Sequence, residues 1–130
     1  MTQDKIIIND FIKTNNELLA EENLDGVLNL VNKIRLLYGN TKNIWLYTGY
    51  SWGDLKITMN DVISYDEETE KFLQIQRKRQ QIVKQCDVLV DGKYVDSLRN
   101  PALLYRGSEN QRLIDVQKSI QSGKVVLWEV

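Results

Sequence analysis

Two short apolar runs constrain the fold more than anything else in this chain: NIWLYT at Asn43–Thr48 and DVLVDG at Asp87–Gly92. Neither alternates polar with apolar residues, and each gives way to a glycine, Gly49 or Gly92. That pattern belongs to strands buried on both faces, as in a parallel sheet with helices packed on it. Helical stretches separate the runs. In NLDGVLNLVNKIRLLYGN, residues Leu24, Val27, Leu28, Val31, Ile34 and Leu37 recur at three- and four-residue steps. Asn23 takes the N-cap position, Asp25 sits in the first turn, and Gly39 is the stop. Glu67–Gln85 reads as a charged helix with a thin apolar stripe of Phe72, Ile75, Ile82 and Val83, and Arg77–Gln81 (RKRQQ) forms its wet side. The alternation predicts an α/β fold with a parallel sheet, in one domain over residues 1–130.

The other segments are less regular. Ile6, Ile7 and Ile8 favour a strand, while Ile8, Phe11 and Ile12 have helical spacing; the helix is preferred. Residues 50–66 read as a loop with a short helix at Trp52–Leu55. Residues 93–112 look irregular around Pro101, the only proline. Leu113–Gly123 (LIDVQKSIQSG) reads as a helix ended by glycine, and KVVLWEV as a third strand. A complete α/β domain usually begins with a strand, and this chain reads as beginning after one.

Composition removes several function classes. There are 17 basic and 18 acidic residues, so no basic footprint for nucleic acid is present. No apolar run approaches the roughly 18 residues of a membrane span. MTQDKIIIND lacks the basic start and apolar stretch of a signal peptide, which predicts a cytoplasmic protein. The chain has no histidine, so serine-hydrolase and zinc-hydrolase readings fail. One cysteine, Cys86, allows no internal disulfide and no cysteine-held cluster within the chain; beside an apolar run, it reads as a buried structural thiol.

Ligands of open parallel sheets lie beyond the carboxyl ends of the strands. Thr48-Gly49-Tyr50 and Asp91-Gly92-Lys93 fall there. Asp91 suits an amine and Lys93 a carboxylate, although Asp-Gly is also a common turn. Arg106-Gly107-Ser108-Glu109-Asn110-Gln111-Arg112 is rich in donors for an anion or a partner's main chain; equally, Ser108 or Asn110 suits a helix N-cap. No Walker, G-x-G-x-x-G or G-x-S-x-G motif is present.

Taken together, IWLYTGYSWGDL and CDVLVDGKYVDSLRNPALLYRGSENQRLIDVQKSIQSGKVVLW resemble the C-terminal part of the anaerobic ribonucleotide reductase activating proteins. These are glycyl-radical activating enzymes of the radical S-adenosylmethionine (SAM) superfamily. The resemblance spans about residues 24–128, through W-x-x-TGY, DVLVDG-x-[FY] and [WY]RGS-x-NQR in that order. It implies a partial radical-SAM-type (β/α) barrel whose parallel sheet lacks its first N-terminal strand or strands. It also implies the family chemistry: SAM is cleaved reductively at a [4Fe–4S] cluster, and the reductase acquires a glycyl radical. Thr48 and Gly49 resemble strand-end residues facing SAM. Asp91 and Lys93 resemble an Asp-x-Lys near SAM and the incoming glycine. Arg106, Gly107, Ser108, Asn110, Gln111 and Arg112 resemble a signature loop near the site or partner.

The departures from the family are as informative. Neither C-x-x-x-C-x-x-C nor GG[DE]P, the motif that holds the SAM amino group, is recognised, and residues 5–22 and 58–70 look inserted. The chain alone is therefore expected to be inactive, to bind neither cluster nor SAM stably, and to contribute no metal ligand or catalytic group. It reads as the back half of an interrupted activating protein that works with a cysteine-bearing N-terminal fragment, or as a truncated remnant, or as a non-enzymatic module that binds the reductase large subunit. An uncovered sheet edge predicts a homo-oligomer or hetero-complex.

Overall fold

The computed structural model describes residues 4–8, 17–57 and 66–129. The strands are β1 (Asp4–Ile8), β2 (Lys42–Tyr47), β3 (Val88–Asp91) and β4 (Arg112–Asp115), and the helices are α1 (Leu24–Tyr38), α2 (Trp52–Leu55), α3 (Glu67–Lys84) and α4 (Val116–Ser122). They form an α/β fold around one four-stranded sheet in the order β1-β2-β3-β4. β1 pairs parallel with β2 and β2 parallel with β3, whereas β3 pairs antiparallel with β4. The sheet is thus mixed and open.

Period-two alternation assigns the faces. Ile44, Leu46, Leu89 and Ile114 join Val27, Val31 and Ile34 of α1, Ile82 and Val83 of α3, and Val116 of α4 in the main core. Trp45, Val88, Val90 and Leu113 form a second, smaller cluster with Tyr47 and Trp128. Tyr105 packs edge-on to Trp45 with ring centres 4.9 Å apart, and the Lys5 ammonium lies 3.7 Å from the Tyr105 ring centre. Burial on both faces is why β2 and β3 read as continuous apolar runs.

Three expectations are corrected. Asp4–Ile8 is a strand, not the start of a helix: its triple isoleucine pairs along β2 from Asp4↔Lys42 to Ile8↔Leu46. The described sheet therefore opens on a strand, and α1 is the crossover between β1 and β2. Of the rest of the stretch read as helix, residues 9–16 lie outside the described residues and residues 17–22 form a turn leading into a short 3-10 helix (Glu21–Asn23); most of the second suspected insertion, residues 58–65, also lies outside the described residues. Second, Leu113–Gly123 is not one helix. Arg112–Asp115 is a strand, and the Asp115 carboxylate accepts from Lys118 N to cap α4, so strand and helix meet at that residue. This antiparallel strand also breaks the purely parallel sheet. Third, the C-terminal run makes no full strand among the described residues; Leu127 forms a single antiparallel bridge with Ile114.

Helix α1 ends at Gly39, whose φ of +55° suits glycine. Asn23 does precede α1, but its side chain caps nothing there and donates instead to Glu17 O. No helix among the described residues is long and apolar enough to cross a membrane.

Candidate functional site

The carboxyl ends of β2 and β3 bring Thr48, Gly49 and Lys93 together, and a residue overlooked in the sequence completes the group. Glu17 reaches in from the turn before α1. Its Oε1 accepts from Thr48 Oγ1 at 2.6 Å and from Leu19 N at 3.1 Å, and its Oε2 accepts from Gly49 N at 2.7 Å. Buried Leu18 and Leu19 anchor the turn in the main core, so the carboxylate is held in place. An acidic residue beside a buried apolar pair just ahead of a helix was the available signal; it fell in a stretch read as an insertion.

Gly49 leaves little room for a side chain. A Cβ there would lie 3.0 Å from both Glu17 Oε2 and Lys93 Cγ. Glu17, Gly49, Tyr50, Asp54 and Lys93 line an open cleft. Asp54 belongs to the capping box of α2 with Ser51, and the bonds from Ser51 hold its carboxyl below the usual carboxylate range. The cleft is thus lined by two hydrogen-bonded carboxylates and one lysine, charges of both signs such as a zwitterion with an ammonium and a carboxylate would meet.

Asp91 does not face this cleft as a free carboxylate. It is 2% exposed and accepts from Arg112 Nε at 3.0 Å, Arg112 Nη2 at 2.6 Å and Trp52 N at 2.9 Å. It ties β3 to the start of β4 and to α2. The hydrogen bond with Asp91 pushes the Arg112 guanidinium pKa up.

The Arg106–Arg112 loop folds back onto residues 91–95. Arg106 donates to Glu109 O and Gln111 O. Gln111 Oε1 accepts from Gly107 N and Ser108 N, and Gln111 Nε2 donates to Gly92 O. Asn110 Nδ2 donates to Lys93 O at 2.8 Å, and Ser108 Oγ donates to Asn110 Oδ1 and accepts from Val95 N. Neither Ser108 nor Asn110 caps a helix.

Cys86 is buried, and burial pushes its thiol pKa to about 12, with the neighbouring Asp87 charge adding to the effect. Among the described residues, no group of three or more His, Cys, Asp or Glu side chains is placed to hold a metal ion.

Comparison with known proteins gives a consistent picture. The family described as "4Fe-4S single cluster domain" matches residues 16–114. The chain is similar to the anaerobic ribonucleoside-triphosphate reductase-activating protein of Escherichia coli (strain K12), 33% identical over 72% of this chain and 47% of the relative. It is similar to the protein of that name from Salmonella typhi, with the same identity and shares. The Enterobacteria phage T4 protein of that name is 30% identical over 84% of this chain and 54% of its own length. The chain spans about half the length of these curated relatives. No solved structure matches it. Because the family match covers most of the sequence and takes in Glu17, Thr48, Gly49 and Lys93, the chain belongs to the 4Fe-4S single cluster domain family.

Proposed function

We propose that this chain supplies the strand-end half of a SAM site in an anaerobic ribonucleotide reductase activating protein, built as a partial radical-SAM-type barrel, and works beside a segment bearing the cluster cysteines. The observation that carries the reading is the Glu17 carboxylate, docked on Thr48 and Gly49 with the Lys93 side chain across the same glycine. A fixed carboxylate suits the ammonium of SAM and a lysine suits its carboxylate. On this reading Glu17 stands in for the acidic residue of GG[DE]P, with Asn15-Asn16-Glu17-Leu18 in place of Gly-Gly-[DE]-Pro. Thr48 and Gly49 orient Glu17, and Asp91 braces the strand ends.

A [4Fe–4S] cluster does not fit the residues of this chain. Three thiolates are needed, and the one thiol is buried and strongly protonated. No step through a cluster is assigned here. SAM supplies radical chemistry when bound beside such a cluster; this chain's residues bind and orient its amino-acid end. The proposed partners are the reductase large subunit and the cysteine-bearing segment, in the cytoplasm.

Equilibrium dialysis with SAM tests the reading. With only half of the site, the wild-type chain is expected to hold SAM weakly, at about millimolar concentration, and Glu17→Gln weakens that retention at least about tenfold, the scale of one charge-assisted hydrogen bond. A second reading draws support from the buried thiol and the inward-turned 106–112 loop: a non-enzymatic module that binds the reductase. No SAM retention by the wild type, together with capture of the reductase large subunit, would select it.

A further inference from the structure

The 106–112 loop carries the most recognisable pattern in the chain, yet its polar side chains bond within the chain, to backbone groups and to one another. We infer that this loop acts on the cleft from behind, and that Asn110 and Gln111 are positioning residues for Lys93. The proposal rests on the cleft being the ligand site.

Gly92 has φ +97°, which glycine adopts without steric cost, so the turn leading to Lys93 is conformationally free and the bonds to its peptide groups set its direction. Two amide side chains make such bonds. Gln111 Nε2 donates to Gly92 O at 3.1 Å, and Asn110 Nδ2 donates to Lys93 O at 2.8 Å. From the other side, Gly92 N donates to Tyr50 O at 3.3 Å. The peptide groups around Lys93 are thus gripped on two sides, which aims the side chain so that its stem crosses Gly49 beside Glu17.

The rest of the loop holds the two amides in place. Ser108 Oγ donates to Asn110 Oδ1 at 2.6 Å, which fixes the amide with its NH₂ toward Lys93. Gly107 N and Ser108 N occupy Gln111 Oε1, which turns its NH₂ toward Gly92. Gly107 is glycine for a local reason: a Cβ there would lie 3.0 Å from the Tyr94 ring. Arg106 ties the carbonyls of Glu109 and Gln111, closing the loop on itself. Gly107, Ser108, Asn110 and Gln111 each bear on residues 92–95, whereas the side chain of Glu109 accepts from Asn100.

Nuclear Overhauser contacts between Lys93 Hγ and Gly49 Hα read the positioning without any ligand. They are expected in the wild type and in Glu109→Ala. They are expected to vanish in Asn110→Ala and in the isosteric Asn110→Asp, which keeps the Ser108 bond but loses the donor. Asn110 is exposed, so these variants should keep the wild-type circular dichroism spectrum. SAM dialysis then reads the consequence: the Asn110 variants weaken binding about as much as Lys93→Ala does, and Lys93→Ala/Asn110→Ala is no weaker than Lys93→Ala alone. Persistence of the contacts in both Asn110 variants, their loss in Glu109→Ala, or their absence from the wild type would overturn the inference. If the contacts disappear with Asn110 while no protein binds SAM, the positioning role stands and the SAM reading falls.

Discussion

The two ends of β2 and β3 use the same device for different ends. At the amino ends, Arg35 of α1 donates to Gln85 O, Gly39 O and Lys42 O and pairs with Asp87 at 2.8 Å, while the same Asp87 oxygen accepts from Ile44 N. At the carboxyl ends, Arg112 pairs with Asp91, which also accepts from Trp52 N. The amino-end clasp closes on backbone carbonyls and leaves nothing over. The carboxyl-end clasp sits beside two glycines, a docked carboxylate and an exposed lysine. The contrast teaches that an arginine–aspartate pair at a strand end is not itself a site; what surrounds it decides.

The largest expected effect is on stability at the carboxyl end. Asp91→Ala leaves the half-exposed Arg112 and Trp52 N without their acceptor and should cost about 2–4 kcal/mol, read from urea midpoints. Arg35→Ala should cost about 2 kcal/mol, yet leave SAM retention unchanged. If Arg35→Ala lowered retention as much as Asp91→Ala, the two ends would not differ as argued.

A smaller effect separates two glycines. Gly49→Ala forces a Cβ against Glu17 and Lys93 and should cost about 1–3 kcal/mol along with most of the SAM retention. Gly26→Ala, in α1 with open space around it, should stabilise by about 0.5–1 kcal/mol and leave retention alone. Equal behaviour of the two would remove the crowding argument.

The smallest effect concerns Cys86 at the amino end. Its folded pKa lies above the unfolded one, so its contribution is whole below about pH 9 and is lost as pH rises toward about 12. Chemical denaturation at pH 8 and pH 10 should show about 1 kcal/mol of extra loss in the wild type that Cys86→Ala lacks. The same burial predicts that native protein at pH 8 resists thiol reagents; rapid labelling would place the thiol in the open.

What could be read from the sequence followed from unshared signals. α1 was legible because Leu24, Val27, Val31 and Ile34 keep one phase and Gly39 ends it. β2 and β3 were legible because both of their faces are buried. β1 was not, since its isoleucines run into Phe11 and Ile12 at helical spacing. β4 was hidden because Leu113 and Ile114 continue smoothly into the apolar phase of α4. At the site, Thr48, Gly49 and Lys93 could be placed from strand-end logic alone. Asp91 looked the same in sequence, but its partner Arg112 is a contact across the antiparallel β3–β4 pair, and that pairing was not foreseen. Glu17 was missed because its partners lie across the β1–α1–β2 crossover.

The pairing order of the sheet has a kinetic consequence. Asp4 meets Lys42, and Trp45 meets Val88, each across a helical crossover, whereas β3 and β4 meet antiparallel through a shorter excursion. Closing long loops must precede the contacts that reward them, which makes parallel pairing slow. Glu17 lies within the β1–β2 crossover, and Asn110 and Gln111 lie just before β4. The cleft is therefore expected to gain its lysine side with the antiparallel pair and its carboxylate side with the slower crossover.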